Sequence, residues 1–360
     1  MKKCVSLLLI LILLFCALPT DAEEAYPFTV YFLDVGQGDC AVVIADGHAM
    51  IIDGGAPQYS SHVYRFLEEH GIDHLDYLIA THPDSDHAGG LAGALNYATA
   101  DNAFCTVKQN SAKFFQDLLK QLKRIGTEMT VPEAGDTFML GSATVRVLMP
   151  VKGAEQTNNT SIVLRICYGS HAFLFMGDCE EADEQVLLNS GSILSSNVLK
   201  VAHHGSSTST GVTFLTAVNP DYAVISVGRD NDYYHPTRKT LNVLSKAGVI
   251  LYRTDMHGTI VCQSDGVTLH FSVEKNADKN PYAFIGGYKD PIAPPLVPPS
   301  TALPEEKQYY VVNTNPSSMK FHKPTCKSVK KISEKNKWFC DWTREELIKA
   351  GYEPCGNCKP

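Results

Sequence analysis

The chain has 360 residues, 44% of them apolar and 19% charged, with a formal net charge of −8. That length holds one large domain plus something small, and the absence of any repeat of solenoid period excludes a stacked array. Charge is unevenly divided: residues 23–306 carry 18 basic against 33 acidic side chains, and 307–360 carry 11 against 5, so the two parts should favour different partners.

Lys2 and Lys3 precede an apolar run over 5–18 that ends in Pro19, Thr20, Asp21 and Ala22. A charged start, a short apolar middle and a small-residue end read as a secretory signal peptide, 1–22, cleaved after Ala22. The run is shorter than the ~20 residues a membrane span needs. An uncleaved anchor is the alternative reading, and Cys16 raises a lipoprotein, against which stands the bulky Phe15 before it. No other stretch is apolar enough to cross a membrane, so the expectation is a secreted, extracellular protein. The cysteines left after cleavage are odd in number and scattered through the large domain, unlike a disulfide framework.

FTVYFLDVG, CAVVIAD and HAMIIDGG are consecutive strand candidates separated by Gly/Asp turns, which predicts an antiparallel meander. Residues 61–70 read as a helix, DYLIATH as a buried strand, and 91–97 and 112–125 as helices. TFML, ATVRVLM, SIVLRICYG and AFLFMGD form a second β-rich section. VLKVAHH, YAVISVG, VILYRTD and TIVCQ are later strands, with helices near 212–218 and 237–247. Two β-rich halves with helices between and after them predict an α/β sandwich of sheets flanked by helices. PIAPPLVPPSTALPEEK, rich in proline and without an apolar period, predicts an extended spacer. The expected division is 1–22 signal peptide, 23–275 catalytic-sized domain, 276–306 linker and 307–360 C-terminal module.

Polar residues recur at the C-terminal ends of apolar strands, where loops on a rigid scaffold can assemble a site. HAMIIDGG ends in Asp53, DYLIATH in His82, AFLFMGD in Asp178 and VLKVAHH in His203 and His204. In THPDSDHAGG, His82, Asp84, Asp86 and His87 fall within six residues and run into glycines. Neutral imidazole and carboxylate both ligate divalent metals, and this crowding can offer ligand pairs to two adjacent ions.

HPDSDHAGG resembles the signature of the metallo-β-lactamase fold superfamily, whose usual form is H-x-H-x-D-H. FLDVGQGDC, IIDGG, THPDSDHAGG, NNTSIVLRICYG, FLFMGD, LKVAHHGS and the Tyr-His-Pro at 234–236 resemble, in family order, the extracellular hydrolase domain of the ComEC competence proteins. The resemblance covers nearly all of 28–272, without the multi-spanning channel region of that family. It implies a four-layer αββα sandwich with a binuclear metal centre at one edge. His82 and Asp84 would hold one ion, Asp86 and His87 the other, and Asp178 would bridge both. One of His203 and His204, by preference His204, would complete the second site. Asp86 is also counted as catalytic with His203 and His235, the two histidines being candidates to protonate the leaving oxygen or to bind phosphate as imidazolium.

The superfamily's usual histidine before the SIVL strand is missing, and Asn158, Asn159, Thr160 and Ser161 stand there. Asn159 either coordinates weakly, or holds water or phosphate, or is a turn residue. Asp84 replaces a nitrogen ligand with oxygen, which keeps zinc first in affinity and admits manganese. Asp53 is placed behind a ligating histidine as a hydrogen-bond partner, whereas Asp34 and Asp39 shape the DVGQGD turn. His48, His62, His70, His74, His171 and His270 lack this context and read as structural or exposed.

In the C-terminal module FHKPTC and EPCGNC give H-x3-C and C-x2-C, spacing for a closed tetrahedral zinc site on His322, Cys326, Cys355 and Cys358. A Cys326–Cys355 or Cys355–Cys358 disulfide is the alternative. So small a unit buries little core and needs a metal staple. The segment also resembles the metal-binding domain of the Ada DNA-repair protein, with histidine where that family's first cysteine stands, which argues for a structural site. Lys320, Lys323, Lys327, Lys330, Lys331, Lys335 and Lys337, with Trp338 and Trp342, read either as a surface for nucleic acid or as a solvated face.

The combined expectation is a secreted binuclear metal-dependent phosphodiesterase, a DNase, with two zinc or manganese ions and a zinc-stapled DNA-binding tail. The alternatives are a small-molecule hydrolase (a phosphocholine esterase or lactonase) and a non-catalytic extracellular DNA-binding protein.

Overall fold

The computed structural model describes residues 26–150, 161–283 and 310–360, the last without 316–317, 334–335, 341–343 and 350. The signal-peptide reading, the linker from 284 and the readings on Asn158, Asn159, Lys335 and Trp342 lie outside the described residues.

The chain opens with the expected meander, β1 (Phe28–Phe32), β2 (Ala41–Ala45) and β3 (His48–Ile52), paired antiparallel. Helix α1 (Ser60–Glu69) leads to β4 (His74–Ile79), then to the short α2 (Ser85–Ala88) and to α3 (Leu91–Tyr97). β5 (Thr99–Phe104), α4 (Lys113–Ile125) and β6 (Met129–Thr130) complete the first half. The second half runs β7 (Thr137–Leu140), β8 (Ala143–Met149), β9 (Val163–Tyr168), β10 (His171–Phe175) and α5 (Glu181–Asn189). It continues through β11 (Val198–Lys200), α6 (Val212–Val218), β12 (Tyr222–Ile225), α7 (Arg238–Lys246), β13 (Ile250–Arg253) and α8 (Thr254–His257). Strands β14 (Ile260–Ser264) and β15 (Leu269–Val273) return to the first sheet.

One sheet has the order β15-β14-β1-β2-β3-β4-β5-β6 and the other β13-β12-β11-β10-β9-β8-β7. Period-2 alternation distributes their side chains. Phe28, Val30, Phe32, Val43 and Met50 meet Val145, Leu164, Phe173 and Phe175 between the sheets. Val42 and Ile51, on the opposite face, pack beneath α1, α3 and α4 through Val63, Leu95 and Leu118. The outer face of the second sheet is covered by α5, α6 and α7 through Leu187, Leu215 and Leu244. The fold is the four-layer αββα sandwich. Packing extends past 275: Tyr282 is buried and donates to the Val249 carbonyl, and Arg253 donates to the carbonyls of Pro281 and Ala283.

The C-terminal unit is a separate small sheet of β16 (Tyr310–Asn313), β17 (Lys320–His322), β18 (Lys337–Cys340) and β19 (Glu353–Pro354), with α9 (Arg344–Lys349). Its buried apolar cluster is Tyr310, Val312, Phe321 and Leu347. Among the described residues no helix is long and apolar enough to cross a membrane.

Candidate metal centre

The ends of β3, β4, β10 and β11 bring residues of both sheets to one edge of the sandwich. After β4 the chain bends over residues 81–83 to Asp84, the extended N-cap residue of α2, and the following turn carries Asp86 and His87. The glycines after His87 have a steric cause. A Cβ at Gly89 would lie 2.2 Å from the Ser85 carbonyl oxygen, and one at Gly90 2.0 Å from that of Gly54. The α2 turn is thereby pressed against the IIDGG turn, where the Gly54 amide donates to the His87 carbonyl at 2.7 Å and the Gly90 amide to that of Gly55 at 2.8 Å.

Asp178 stands between two sets of side chains. Its Oδ1 lies 3.2 Å from His87 Nε2 and 3.8 Å from His204 Nε2. Its Oδ2 lies 4.0 Å from His82 Nε2 and 3.8 Å from His203 Nε2. Asp86 Oδ2 is 3.3 Å from His204 Nε2, and Asp84 Oδ2 is 3.7 Å from His82 Nε2. His82, His87 and Asp178 form one group of ligand atoms lying within 4.8 Å of one another, and Asp86, His87 and His204 form another. The structure thus brings His82, Asp86, His87, Asp178 and His204 together, whereas Asp84, the most exposed of the expected ligands, approaches His82 and belongs to neither group.

The imidazoles are oriented from behind. Asp53, fully buried, accepts from His87 Nδ1 at 2.9 Å and from the Thr81 amide and hydroxyl at 2.7 Å each. This is the role expected of Asp53. His204 Nδ1 donates to the Ser226 carbonyl at 2.9 Å. His82 Nδ1 is 3.1 Å from the Thr81 hydroxyl and 3.3 Å from that of Ser161, and Ser161 also accepts from the Asp178 amide at 3.0 Å. These contacts turn the Nε2 atoms towards the centre. His203 and His204 both adopt left-handed backbone, φ 50° and 52°, which splits their side chains to opposite sides of Asp178. His204 is buried, and His203 is 32% exposed with Nδ1 3.4 Å from Glu180.

Electrostatics demand positive charge here. Burial alone would lower the His204 pKa, but the Asp178, Asp39 and Asp86 carboxylates prevail and hold it at about 10. Asp178 is held well below the usual carboxylate range, against its own burial, by His87 and His204. His87 Nε2, His204 Nε2 and Asp178 Oδ1 are buried atoms that make no hydrogen bond of proper geometry. Buried ligand atoms left unsatisfied around one point, among carboxylates that favour a cation, suit divalent ions, which would exchange with the imidazole protons on binding.

Sequence reasoning missed the support beneath His204. Asp39 is buried, 2.7 Å from Lys200 Nζ and 3.3 Å from His204 Nδ1, so it does more than shape its turn. Burial opposes ionisation of Asp39, but Lys200 and His204 keep its pKa below the ordinary value. Its stabilising contribution is therefore present above the unfolded carboxyl pKa, about 4, and fades as pH falls towards the folded value. Lys200→Ala is expected to destabilise the domain by roughly 3–5 kcal/mol in denaturant unfolding, because it strands a buried carboxylate. His235, half-buried, has its ring 5.6 Å from that of His203 and 6.4 Å from that of His204. Burial, helped by His204 and His203, lowers its pKa to about 4, which leaves it neutral at pH 7.

In the C-terminal unit His322, Cys326, Cys355 and Cys358 offer ligand atoms within 4.8 Å of one another. All three cysteines are free thiols, so neither alternative disulfide forms. A hydrogen bond from the Ser328 backbone is the chief reason the Cys326 thiol is lowered to about 6. Three sulfurs and an imidazole at this separation suit tetrahedral zinc.

A family model described as the metallo-beta-lactamase superfamily matches residues 33–229. ComE operon protein 3 of Bacillus subtilis (strain 168) is 32% identical over 250 residues, 64% of this chain and 32% of that protein. Competence protein ComA of Neisseria gonorrhoeae is 30% identical over 273 residues, 71% of this chain and 37% of that protein. The chain spans about a third of the length of these curated relatives, which match the resemblance drawn from the motifs. The solved metallo-beta-lactamase fold protein YhfI from Bacillus subtilis aligns with TM-score 0.42 and 13% identity, over 62% of this chain and 96% of that one.

Proposed function

This chain belongs to the metallo-β-lactamase superfamily, and from that premise we propose a secreted, binuclear metal-dependent phosphodiesterase that hydrolyses DNA. The observation that carries this reading is Asp178, whose two oxygens face separate sets of imidazoles. His82, Asp84 and Asp178 Oδ2 would hold one divalent ion, zinc or manganese, and Asp86, His87, His204 and Asp178 Oδ1 the other. Such a pair lowers the pKa of water towards neutrality and offsets charge on phosphoryl oxygens. The chain's own groups do the rest. Asp53 keeps a proton on His87 Nδ1, so that Nε2 presents a lone pair. His203, partly exposed and backed by Glu180, is placed to give a proton to the departing oxygen. His235, neutral, serves as a hydrogen-bonding partner of substrate rather than as an imidazolium. The competence-protein relatives support a DNA-related role, and the net-basic module 307–360 supports a nucleic-acid partner.

Purified protein incubated with single- and double-stranded DNA, a phosphodiester dye and a lactone, across added Mn²⁺, Zn²⁺ and Mg²⁺, tests the reading. Metal-dependent DNA cleavage is expected. Lactone turnover with DNA left intact would replace it with a small-molecule hydrolase, and DNA binding without turnover would make it a capture protein. Asp53→Asn should weaken metal affinity by about 10–100-fold in chelator competition, since the partner of His87 is changed while its Nε2 remains.

A further inference from the structure

Among the described tyrosines and phenylalanines, the exposed rings are Tyr233 at 67% and Tyr234 at 60%, neighbours in one loop. The other tyrosine and phenylalanine rings of known environment are buried or partly covered. This loop borders the metal centre: Tyr233 stacks on His235 with centroids 5.8 Å apart and planes 26° from parallel, and His235 lies edge-on to His203.

The loop is also built to hold still. The Asn231 side chain donates to the carbonyls of Gly228 at 2.9 Å and His235 at 2.7 Å. Its oxygen accepts from the amides of Tyr233 at 3.1 Å and His235 at 3.0 Å. Tyr234 has φ 57°, a left-handed conformation uncommon for a bulky residue. A surface loop with no task would have no cause to present two adjacent aromatic rings on such a brace.

We propose that Tyr233 and Tyr234 form a base-stacking clamp that grips a nucleobase flanking the phosphodiester held at the metal centre, and that the substrate strand is therefore single-stranded DNA. A flat, solvent-facing ring accepts the face of any base, so the contact tolerates sequence. In a duplex those faces are already stacked on their neighbours, so a paired strand gains nothing from the clamp. Asn231 acts as a positioning residue, lowering the ordering cost of the rings. The proposal rests on the phosphodiesterase reading and names the form of its substrate.

The test uses the full-length protein with Mn²⁺ and two single-stranded oligonucleotides, one bearing bases throughout and one abasic around the cleaved linkage. Wild type is expected to show a KM about ten-fold lower for the base-bearing strand. In the Tyr233→Ala/Tyr234→Ala variant that ratio should fall towards one, and in the double Tyr→Phe variant it should return. A 2-aminopurine base beside the linkage should be quenched on binding to wild type and not to the alanine variant. Asn231→Ala should give an intermediate ratio.

A base preference and quench that persist in the alanine variant would overturn the clamp, as would a variant altered only in self-association. If wild type cleaves neither strand, the phosphodiesterase reading fails by itself, and the 2-aminopurine signal still decides whether the tyrosines grip a base.

Discussion

Asp178→Ala is expected to lower kcat/KM for DNA by on the order of 10³-fold or more, and to reduce the hydrolase-domain metal content measured by elemental analysis. Both losses follow from one geometric fact. Oδ1 faces His87 and His204, and Oδ2 faces His82 and His203, so removing the carboxylate leaves each set one ligand short. It also removes the charge that most strongly opposes the burial of His87 and His204. Those imidazoles should then lose their protons more readily, but without the carboxylate that both sets share the site should hold neither ion firmly. His203→Ala is the informative contrast. His203 stands beside Oδ2 but belongs to none of the ligand groups found among the described residues, so its loss should cut kcat with metal content retained. Equal metal loss in both variants would make His203 a ligand and leave the proton without a donor. Retained activity and metal in Asp178→Ala would remove the basis for a binuclear centre.

Much of this arrangement was legible in the sequence because strands announce themselves by apolar alternation and their ends by abrupt polarity. HAMIIDGG, DYLIATH and AFLFMGD give both signals at once. β5 gave neither, since TADNAF alternates around small and polar residues, and it becomes a strand only because β4 and β6 flank it. α5 was likewise missed; its first turn is acidic and its apolar face is weak, and a capping box on Glu180 and Asp183 starts it.

At the site, sequence could place His203 and His204 together but not apart. Their division depends on left-handed backbone in both, which histidine does not advertise. Lys200 was harder still. Within VLKVAHH it reads as a polar interruption, and its burial makes sense only once the DVGQGD turn brings Asp39 beneath it. Long-range ion pairs and preorganised loops such as 228–236 carry no local periodicity, so they surface only in three dimensions.

Binding of a single-stranded oligonucleotide should weaken when zinc is stripped from the C-terminal unit, and the same loss should follow Cys355→Ser. Among the described residues the apolar cluster there is small, Tyr310, Val312, Phe321 and Leu347, and a unit of this size is expected to need a metal staple. A structural zinc contributes about 10–16 kcal/mol to the folding of such units. The chain's 2 tryptophans, Trp338 and Trp342, both lie in this segment, so their fluorescence reports its unfolding without interference from the hydrolase domain. Chelation should change that emission while the circular dichroism of the large domain persists. The affinity lost should be electrostatic. Each strand phosphate neutralised contributes about −0.7 to the slope of log K against log salt, so deleting 307–360 should flatten the slope by about 2 to 3 if three or four lysines engage. An unchanged slope and affinity would mean that the lysines form a solvated face, and that DNA reaches the metal centre through the net-acidic hydrolase domain alone.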